Sequence, residues 1–455
     1  MNSMNMLVWW TKISRPLFSL FDFYASKQAR CVASYLEHLS LDRTQWTTQE
    51  VLTQLQLEKL KKILREASYL PFWKDRCDKD SVLYREIVSL EEVTELPILT
   101  REDIRKYFPH HLVNPNLPRR RYYKEHTSGS TGEALVFYED TITIPTRIAR
   151  YRRQRVWIEH TSRSTLMRMM NRERLGFWNE GHCLMVRSGE EFDDALTRMY
   201  SEIEAESRKH PVFLEAISSY ILRLAQLIEE HNLNRLFVTG LLTFGESLAP
   251  KEVAFVENIF STKMFSRYSL REFSTIAQEC RYSSRNIFHV IAEHFYVEIV
   301  DEDGCVVSHD TTGRVIVTSL ENMVMPFIRY DTGDRGRLLA QKCLCGCVLP
   351  LLVIEGRELS SIRLRTGNVV SLKDMISTLA SHMYNAGQFQ LVHKKSDHFV
   401  LRLVLFERYN TSTFLERLKK SLSDVIGKGV AVDAQIVSSI PLSKGGKRVL
   451  FVSEM

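Results

Sequence analysis

Several signals that assign a chain to a broad class of protein are missing from this sequence. No apolar run reaches the roughly 18 residues that a membrane-spanning helix needs, and no small-residue cleavage site follows the N-terminal segment. There are no internal repeats and no low-complexity stretches. The net charge of +6 over 455 residues is too small an excess for a typical nucleic-acid-binding protein. These absences predict a cytoplasmic protein that neither spans a membrane nor binds nucleic acid.

The composition is that of a globular protein. Apolar residues make up 44% and charged residues 25% of the chain, and its length predicts two or more domains. The mild basic excess is compatible with anionic substrates. Residues 1–31 hold aromatic side chains broken by charges, which favours a helix that packs on the body; peripheral membrane contact is the alternative. The arginine-rich stretch 147–155 is interpreted as the solvated face of a helix, with phosphate contact as the alternative.

Eight cysteines need an explanation other than disulfides, because cytoplasmic thiols stay reduced. Cys343, Cys345 and Cys347 cluster around a glycine, and Cys280 and His289 lie upstream. Thiolates and imidazole are the ligands that zinc prefers. The spacing does not match a standard zinc finger, so two interpretations stay open from the residues alone: a zinc site or buried free thiols.

The most informative segment is a run of hydroxyl and glycine residues: His126, Thr127, Ser128, Gly129, Ser130, Thr131, Gly132 and Glu133. Such a loop can wrap a polyphosphate with backbone N–H and side-chain O–H donors, because glycine lets the backbone approach closely. A Walker-type P-loop needs a lysine after its last glycine, and none stands there. The loop therefore indicates a different ATP-using class, one that makes acyl-adenylates. A flexible surface turn is the alternative.

Periodicity predicts the main elements. Helices are predicted over 51–67 and 213–231, and Thr100 is the predicted N-cap of another helix. Strands are predicted at 236–239, 295–300 and 314–318. Past residue 356, short strands at 399–406 and 430–437 surround a helix at 413–426. This pattern predicts an α/β body followed by a small α+β domain.

Further short motifs follow the hydroxyl–glycine loop in a fixed order: 244–248 (FGESL), 267–272 (RYSLRE), 329–334 (RYDTGD), 355–357 (EGR) and 441–447 (PLSKGGK). Together they resemble the adenylate-forming superfamily, and more closely its phenylacetate–coenzyme A ligase branch, which includes CapK-like proteins. The resemblance covers about residues 50 to 455. It implies a large multi-sheet N-terminal adenylation domain (1–356) and a small, mobile C-terminal α+β domain (357–455).

The resemblance also implies roles for individual residues. Asp334 matches an aspartate that accepts hydrogen bonds from a ribose diol, and Tyr268 matches a tyrosine that stacks on adenine. Glu272 matches a glutamate that meets Mg²⁺ near the phosphates, a hard carboxylate for a hard cation. Gly245 and Glu246 match the loop that lines the other side of the base.

Lys447 matches the lysine that bridges the carboxylate and the α-phosphate during adenylation, with Lys444 as an alternative candidate. Thr127 is expected to act with Glu272 and Lys447 in catalysis. The remaining residues expected to contact the nucleotide are Ser128, Gly129, Ser130, Thr131, Gly132, Ser269 and Arg357.

The chain departs from the family pattern at two points. Arg271 precedes Glu272 where the family has a threonine. Ser360 stands where the family has the aspartate about which the small domain rotates between adenylation and thioester formation. Rotation needs only a residue that tolerates a change of backbone angles. The departure nevertheless puts the reaction with coenzyme A in question, and an amine acceptor is the alternative.

Members of this branch with a similar cysteine–histidine pattern hold a structural zinc ion. The resemblance therefore implies Cys280, His289, Cys343 and Cys345 as its ligands, with Cys347 as a substitute ligand. Four protein ligands would leave no open position for chemistry, which makes a zinc-dependent hydrolase a poor interpretation.

The resulting prediction is an ATP- and Mg²⁺-dependent ligase. It would activate an aryl or small organic acid as acyl-AMP and pass the acyl group to coenzyme A or to another thiol or amine. The alternative is a catalytically idle nucleotide-binding scaffold in polysaccharide or secondary-metabolite biosynthesis. The sequence leaves open the acid, the acceptor and the oligomeric state, for which a dimer is one option.

Overall fold

A computed structural model describes residues 27–127, 134–158, 163–170, 181–187, 189–357, 362–364, 369–394, 398–427, 430–443 and 446–454. Most of the hydroxyl–glycine loop (128–133), the predicted hinge residue Ser360 and the alternative lysine Lys444 lie outside the described residues. So does most of the N-terminal aromatic segment. Among the described helices, none combines the length and the apolar character needed to cross a bilayer.

The described part of the chain is a mixed α/β structure. Its α-helices are α1 (Lys27–Thr44), α2 (Gln49–Ala67), α3 (Pro71–Lys74), α4 (Arg101–Tyr107), α5 (Thr143–Trp157), α6 (Phe192–Ser207), α7 (Ser218–Glu230), α8 (Pro250–Phe260), α9 (Leu372–Met383) and α10 (Ser412–Ile426). Short 3₁₀ turns lie at Glu91–Glu95, Arg119–Arg121 and Glu407–Tyr409.

The strands that precede residue 290 are β1 (Tyr122–His126), β2 (Val136–Asp140), β3 (Thr165–Met170), β4 (His182–Met185), β5 (Val212–Ile217), β6 (Val238–Phe244), β7 (Met264–Leu270), β8 (Ser274–Gln278) and β9 (Ile287–Val290). The later strands are β10 (Phe295–Val300), β11 (Gly313–Ser319), β12 (Tyr330–Leu339), β13 (Leu351–Arg357), β14 (Ile362–Arg363), β15 (Val369–Val370), β16 (Gly387–Lys394), β17 (His398–Leu405), β18 (Ala431–Ile436) and β19 (Phe451–Ser453).

Internal contacts divide the chain into two units. The first unit contains the described residues of 1–127, 134–159 and 267–357, and the second contains those of 160–266 and 358–455. The predicted domain border between residues 356 and 357 lies next to the point where the first unit ends. The grouping of 160–266 with the C-terminal residues differs from the predicted domains, and that border stays a prediction.

The first unit is built on antiparallel strands. Their order is β10-β11-β12-β13-β9-β8-β7, with β7 entering the unit at Arg267. Its core includes interlocking aromatic rings, among them Phe273, which packs edge-on against Phe295, Phe327 and Tyr330. Helix α2 buries its predicted apolar face in this core, and Thr100 caps α4 as predicted. The structure adds that Thr100 and Asp103 form a capping box.

The second unit contains the parallel strands β6-β5-β3-β4. The helix predicted over 213–231 is wrong in its first part, because β5 occupies Val212–Ile217 and α7 starts at Ser218. Every residue of β5 is buried, as is usual for a parallel strand covered on both faces. A continuous apolar run of this kind carries no period that separates strand from helix. The strand predicted at 236–239 is displaced in the same way and lies at Val238–Phe244.

The C-terminal residues of the second unit form an α+β arrangement with a core of their own. The sheet order is β18-β17-β16-β19, and α9 and α10 supply buried side chains to its core. Helix α10 buries residues spaced four apart, Phe414, Leu418, Leu422 and Ile426, and the Thr411 hydroxyl caps it. The strands predicted at 399–406 and 430–437 and the helix predicted at 413–426 are confirmed, because each of their ends lies within one residue of the ends of β17, β18 and α10.

The arginine-rich stretch 147–155 is not the solvated face that its charge suggested. Within α5, Arg153 is 0% exposed, and its guanidinium donates to both oxygens of Glu293 at 2.5 and 3.2 Å. Arg150 is 1% exposed and donates to Glu321 at 2.7 Å. Burial raises the pKa of Glu293, but the charge and hydrogen bonds of Arg153 outweigh it and hold that pKa below its usual range. These arginines are buried structural ion pairs.

We expect Arg153→Met to lower the free energy of unfolding by about 3–5 kcal/mol, because Glu293 would remain charged and buried without its partner. The double variant Arg153→Met/Glu293→Met should recover most of that loss, since no lone charge remains. Lys61→Met is the surface control: the Lys61–Glu86 pair is solvent-exposed and should contribute about 0–1 kcal/mol. Urea denaturation measures all three. Equal losses in the single and double variants would contradict this account.

Candidate functional site

The first unit brings together two residues that the sequence assigned to a nucleotide. The Tyr268 hydroxyl donates to Oδ2 of Asp334 at 2.7 Å, although the residues are 66 positions apart. Asp334 follows Gly333, which has a positive φ of +72°, and the Asp334 N–H donates to the Thr332 hydroxyl oxygen at 3.1 Å. Tyr268 is 9% and Asp334 is 6% exposed, so both side chains are largely buried. The hydrogen bond from Tyr268 therefore fixes the orientation of a buried carboxylate.

Glu272 lies in the turn between β7 and β8 and is also buried. Its Oε1 accepts a hydrogen bond from the Tyr330 hydroxyl at 2.8 Å, and the Arg101 guanidinium lies 3.7 Å from the same oxygen. Burial and the neighbouring Glu272 charge raise the pKa of Tyr330 well above its ordinary value, so this phenol stays protonated and donates.

Sequence reasoning missed the contacts of Arg101 and Tyr330 with Glu272. Tyr330 belongs to a motif that was recognised, but motif matching does not show where its hydroxyl points. Arg101 follows Leu99 closely, and Leu99 pairs with the start of β12: its N–H donates to the Arg329 carbonyl and its carbonyl accepts from the Asp331 N–H. That pairing places Arg101 beside Glu272, and it is a long-range contact with no local sequence signal.

The side chains of Thr127 and Arg271 both form hydrogen bonds within the first unit. The Thr127 hydroxyl oxygen accepts from the Leu135 N–H at 2.9 Å, and the Thr127 N–H donates to the Leu135 carbonyl at 2.9 Å. Thr127 thus pairs with Leu135 through both its hydroxyl and its backbone. Arg271, which replaces the family threonine, donates to the Glu125 carboxylate at 2.6 Å. Its charge is therefore paired within the protein.

The two remaining nucleotide residues predicted in this unit lie on strands. Ser269 lies in β7, where a register irregularity separates it from Tyr268. Arg357 pairs through its backbone with Asp334, so the predicted EGR and RYDTGD motifs are adjacent in the sheet. The nucleotide roles of these residues stay predictions.

The second unit places Lys447 against Gly245. Gly245 has a positive φ of +91°, and a Cβ at this position would lie 3.4 Å from Cε of Lys447. Glycine therefore suits this position for its backbone conformation, and the distance shows that the lysine side chain passes beside it. A short turn supports Lys447: its N–H donates to the Ser443 hydroxyl oxygen at 3.1 Å, and its carbonyl accepts from the Ser443 N–H at 2.9 Å.

The four predicted metal ligands converge in the first unit. The donor atoms of Cys280, His289, Cys343 and Cys345 all lie within 4.8 Å of one another. The Cys280 and Cys343 sulfurs are 3.7 Å apart, and the Cys345 sulfur lies 3.5 Å from Nε2 of His289. A tetrahedral zinc ion with usual bond lengths would separate two sulfurs by about 3.8 Å and a sulfur from a nitrogen by about 3.6 Å. The spacing of the donors fits zinc.

The turn that carries two of these cysteines is shaped for ligation. Gly346 adopts a positive φ of +78°, and its N–H donates to the Cys343 carbonyl at 3.1 Å. The Cys347 N–H donates to the Cys345 sulfur at 3.4 Å, a contact that supports a thiolate. Cys347 therefore contributes its backbone to the cluster, and it is not among the four residues whose donor atoms converge.

Comparisons with known proteins identify relatives of this chain. Residues 364–454 match the family model described as the CapK C-terminal domain. The protein CapK of Staphylococcus aureus is 21% identical over 392 residues, which cover 81% of this chain and 84% of that protein. A phenylacetate-coenzyme A ligase of Pseudomonas putida is 22% identical over 439 residues, covering 89% of this chain and 95% of the relative.

Solved structures show the same fold. The structure of 2-hydroxyisobutyryl-CoA ligase in the postadenylation state gives a TM-score of 0.72 at 18% identity and covers 91% of this chain and 92% of that one. Sequence relatives, family model and fold all agree with the motifs quoted above. The sequence relatives are a CapK protein and phenylacetate-coenzyme A ligases, and the family model is that of a CapK domain, which confirms the resemblance drawn from the motifs.

Proposed function

We propose that this chain is an ATP-dependent ligase that activates a carboxylic acid as an acyl-adenylate. A carboxylate oxygen of the acid attacks the α-phosphorus of ATP, the bond between the α-phosphorus and the bridging oxygen breaks, and pyrophosphate leaves. A thiol or amine then attacks the acyl carbon, the bond to AMP breaks, and the nucleophile loses its proton. Coenzyme A is the proposed thiol, and an amine is the alternative acceptor.

The observation that carries the proposal is the hydrogen bond between Tyr268 and Asp334. Two motifs that the resemblance assigned independently to adenine and ribose meet within hydrogen-bonding distance. An aimed carboxylate is suited to accept hydrogen bonds from the two hydroxyls of a ribose. A buried tyrosine beside it offers a ring face for a base.

Lys447 is the proposed cation for the adenylation step. Its ammonium would offset the negative charge that develops as the acyl oxygen approaches the α-phosphorus. Glu272 would hold Mg²⁺, which offsets phosphate charge when it is bound. Tyr330 and Arg101 both contact Oε1 of Glu272, so Oε2 is the oxygen proposed to face the metal.

An aryl or small organic acid is the proposed substrate class. Its support comes from the names of the relatives: one is a phenylacetate-coenzyme A ligase, and the solved 2-hydroxyisobutyryl-CoA ligase is in complex with R3-HIB-AMP. Polysaccharide and secondary-metabolite assembly are both compatible settings for the product.

Zinc at Cys280, His289, Cys343 and Cys345 is proposed to be structural. These residues join β9 and the segment after β8 to the loop between β12 and β13, so a shared ion would cross-link distant parts of the first unit. With four protein ligands, the ion would have no open coordination position for substrate.

A catalytically idle nucleotide-binding scaffold is the second candidate. The ion pair of Arg101 with Glu272 favours it, because a guanidinium stands beside the carboxylate that should hold a metal. This candidate predicts that ATP binds to the chain but that no acid supports pyrophosphate exchange.

Lys447→Ala should lower acid-dependent ATP–pyrophosphate exchange by about 100- to 1,000-fold, since it removes the charge that stabilises the transition state. The assay needs Mg²⁺ and a panel of aryl, fatty and amino acids. Lys419→Ala, on the surface of α10 in the same part of the chain, is the matched control and should keep full activity. An unchanged rate in Lys447→Ala would remove the proposed role.

Tyr268→Phe should raise the KM for ATP by about 10-fold, the effect of losing one hydrogen bond to a charged acceptor. The ring remains, so stacking on the base is retained. Tyr69→Phe, which alters an exposed tyrosine, is the control. Steady-state kinetics with ATP varied at saturating acid gives kcat and the KM for ATP of each variant. An unchanged KM in Tyr268→Phe would show that the Tyr268 hydroxyl has no part in nucleotide binding.

The purified protein should contain about one zinc ion per chain by elemental mass spectrometry, because its four ligands are those that zinc prefers. Cys345→Ser should reduce the metal content and the melting temperature. Cys183→Ser, at an exposed cysteine outside the cluster, should change neither. Metal-free protein that melts at the same temperature as the zinc-loaded protein would contradict a structural role.

A further inference from the structure

The Glu246 carboxylate holds two backbone segments of the second unit. Its Oε2 accepts a hydrogen bond from the Ser219 N–H at 3.1 Å, and its Oε1 accepts one from the Arg448 N–H at 2.6 Å. The first segment is the start of α7, and the second is the residue that follows Lys447. The carboxylate thus connects a helix to the loop that carries the proposed catalytic lysine.

The contact with α7 fixes the direction of the carboxylate. Ile217 stands at the N-cap of this helix and has no side-chain capping hydrogen bond. The Ser219 N–H is one of the donors that a helix cannot satisfy internally, and Glu246 accepts from it. A negative charge is also favourable at the positive end of the helix dipole. The Ser218 hydroxyl donates to the Glu246 carbonyl at 2.7 Å, so backbone and side chain are both anchored.

A second carboxylate holds the same loop from another side. The Arg448 guanidinium donates to Oε1 of Glu252 at 2.7 Å, and Oε2 of Glu252 accepts from the Ala249 N–H at 2.8 Å. Burial lowers the pKa of Arg448, but the Glu252 and Glu246 charges outweigh it and raise that pKa. Two carboxylates therefore hold Arg448, the residue that follows Lys447. Each of them also accepts a backbone N–H at the start of a helix: Glu246 at α7 and Glu252 at α8.

We infer that Glu246 is a positioning residue for Lys447. By holding the N–H of Arg448, it sets the backbone from which the lysine side chain extends past Gly245. This inference rests on the proposed role of Lys447 and deepens it. A displacement of about 1 Å in a catalytic group can lower a rate by about 100-fold, so loss of the clamp should reduce turnover more than nucleotide affinity.

The test uses Glu246→Ala, Glu246→Gln and the control Lys251→Ala, which changes an exposed lysine on α8. For exchange, we expect the kcat of Glu246→Ala to fall about 10- to 100-fold with the KM for ATP unchanged. Glutamine keeps one carbonyl acceptor for two N–H donors, so Glu246→Gln should lie between Ala and wild type. Without any ligand, deuterium uptake by a peptide covering 446–454 should rise in Glu246→Ala.

Two results would overturn the inference. One is a wild-type kcat in Glu246→Ala under conditions where Lys447→Ala is impaired. The other is a raised KM for ATP with unchanged kcat, which would make Glu246 a nucleotide-binding residue instead. Failure of the proposed function gives a different result, because the wild-type protein itself then shows no pyrophosphate exchange with any acid of the panel. The clamp is then judged by deuterium uptake alone, and unchanged uptake in Glu246→Ala would refute it.

Discussion

The ion pair between Arg329 and Glu298 holds the chain where β12 begins, and β12 carries Tyr330 and Asp334 of the candidate site. The Arg329 guanidinium donates to Glu298 at 3.1 Å and also to the carbonyls of Thr94, Leu96 and Gly304. Its backbone adopts a positive φ of +46° just before β12 begins. Since both side chains are buried, removal of Glu298 would leave the Arg329 charge without its carboxylate partner, so this geometry tolerates little change.

Three consequences follow along β12. Leu99 pairs with Tyr330 at the start of the strand, which brings Arg101 to Glu272. The Tyr330 hydroxyl then donates to the same carboxylate, and four residues later Asp334 receives the hydroxyl of Tyr268. Glu272 and Asp334 are thus buried, and the hydroxyl groups of Tyr330 and Tyr268 fix the orientation of their carboxylates. The second unit uses the same principle, with the Glu246 carboxylate satisfying two backbone N–H groups near Lys447.

Much of this arrangement could be predicted from the sequence where the signal is local. The capping hydroxyl of Thr100, the four-residue spacing in α10 and the cysteine turn at Gly346 each reflect a short-range physical rule. The motifs led to Tyr268, Asp334 and the four candidate zinc ligands.

What could not be predicted depends on long-range packing. The charge of Arg153 suggested solvent, but its partner Glu293 lies 140 positions away and makes burial favourable. The burial of β5 on both faces erased the period that would separate it from a helix. The Glu246 clamp likewise joins residues 202 positions apart. Such partners are set by the fold and leave no trace in local periodicity.

Isotope transfer can show directly whether the acid attacks the α-phosphorus of ATP. The substrate acid, labelled with ¹⁸O in its carboxylate, is incubated with the protein, ATP, Mg²⁺ and an acceptor, and the products are examined by mass spectrometry. We expect one ¹⁸O atom in AMP, because the acid's oxygen stays on the α-phosphorus when the acyl group leaves. Label in inorganic phosphate, together with ADP, would show attack at the γ-phosphorus and would rule out an acyl-adenylate.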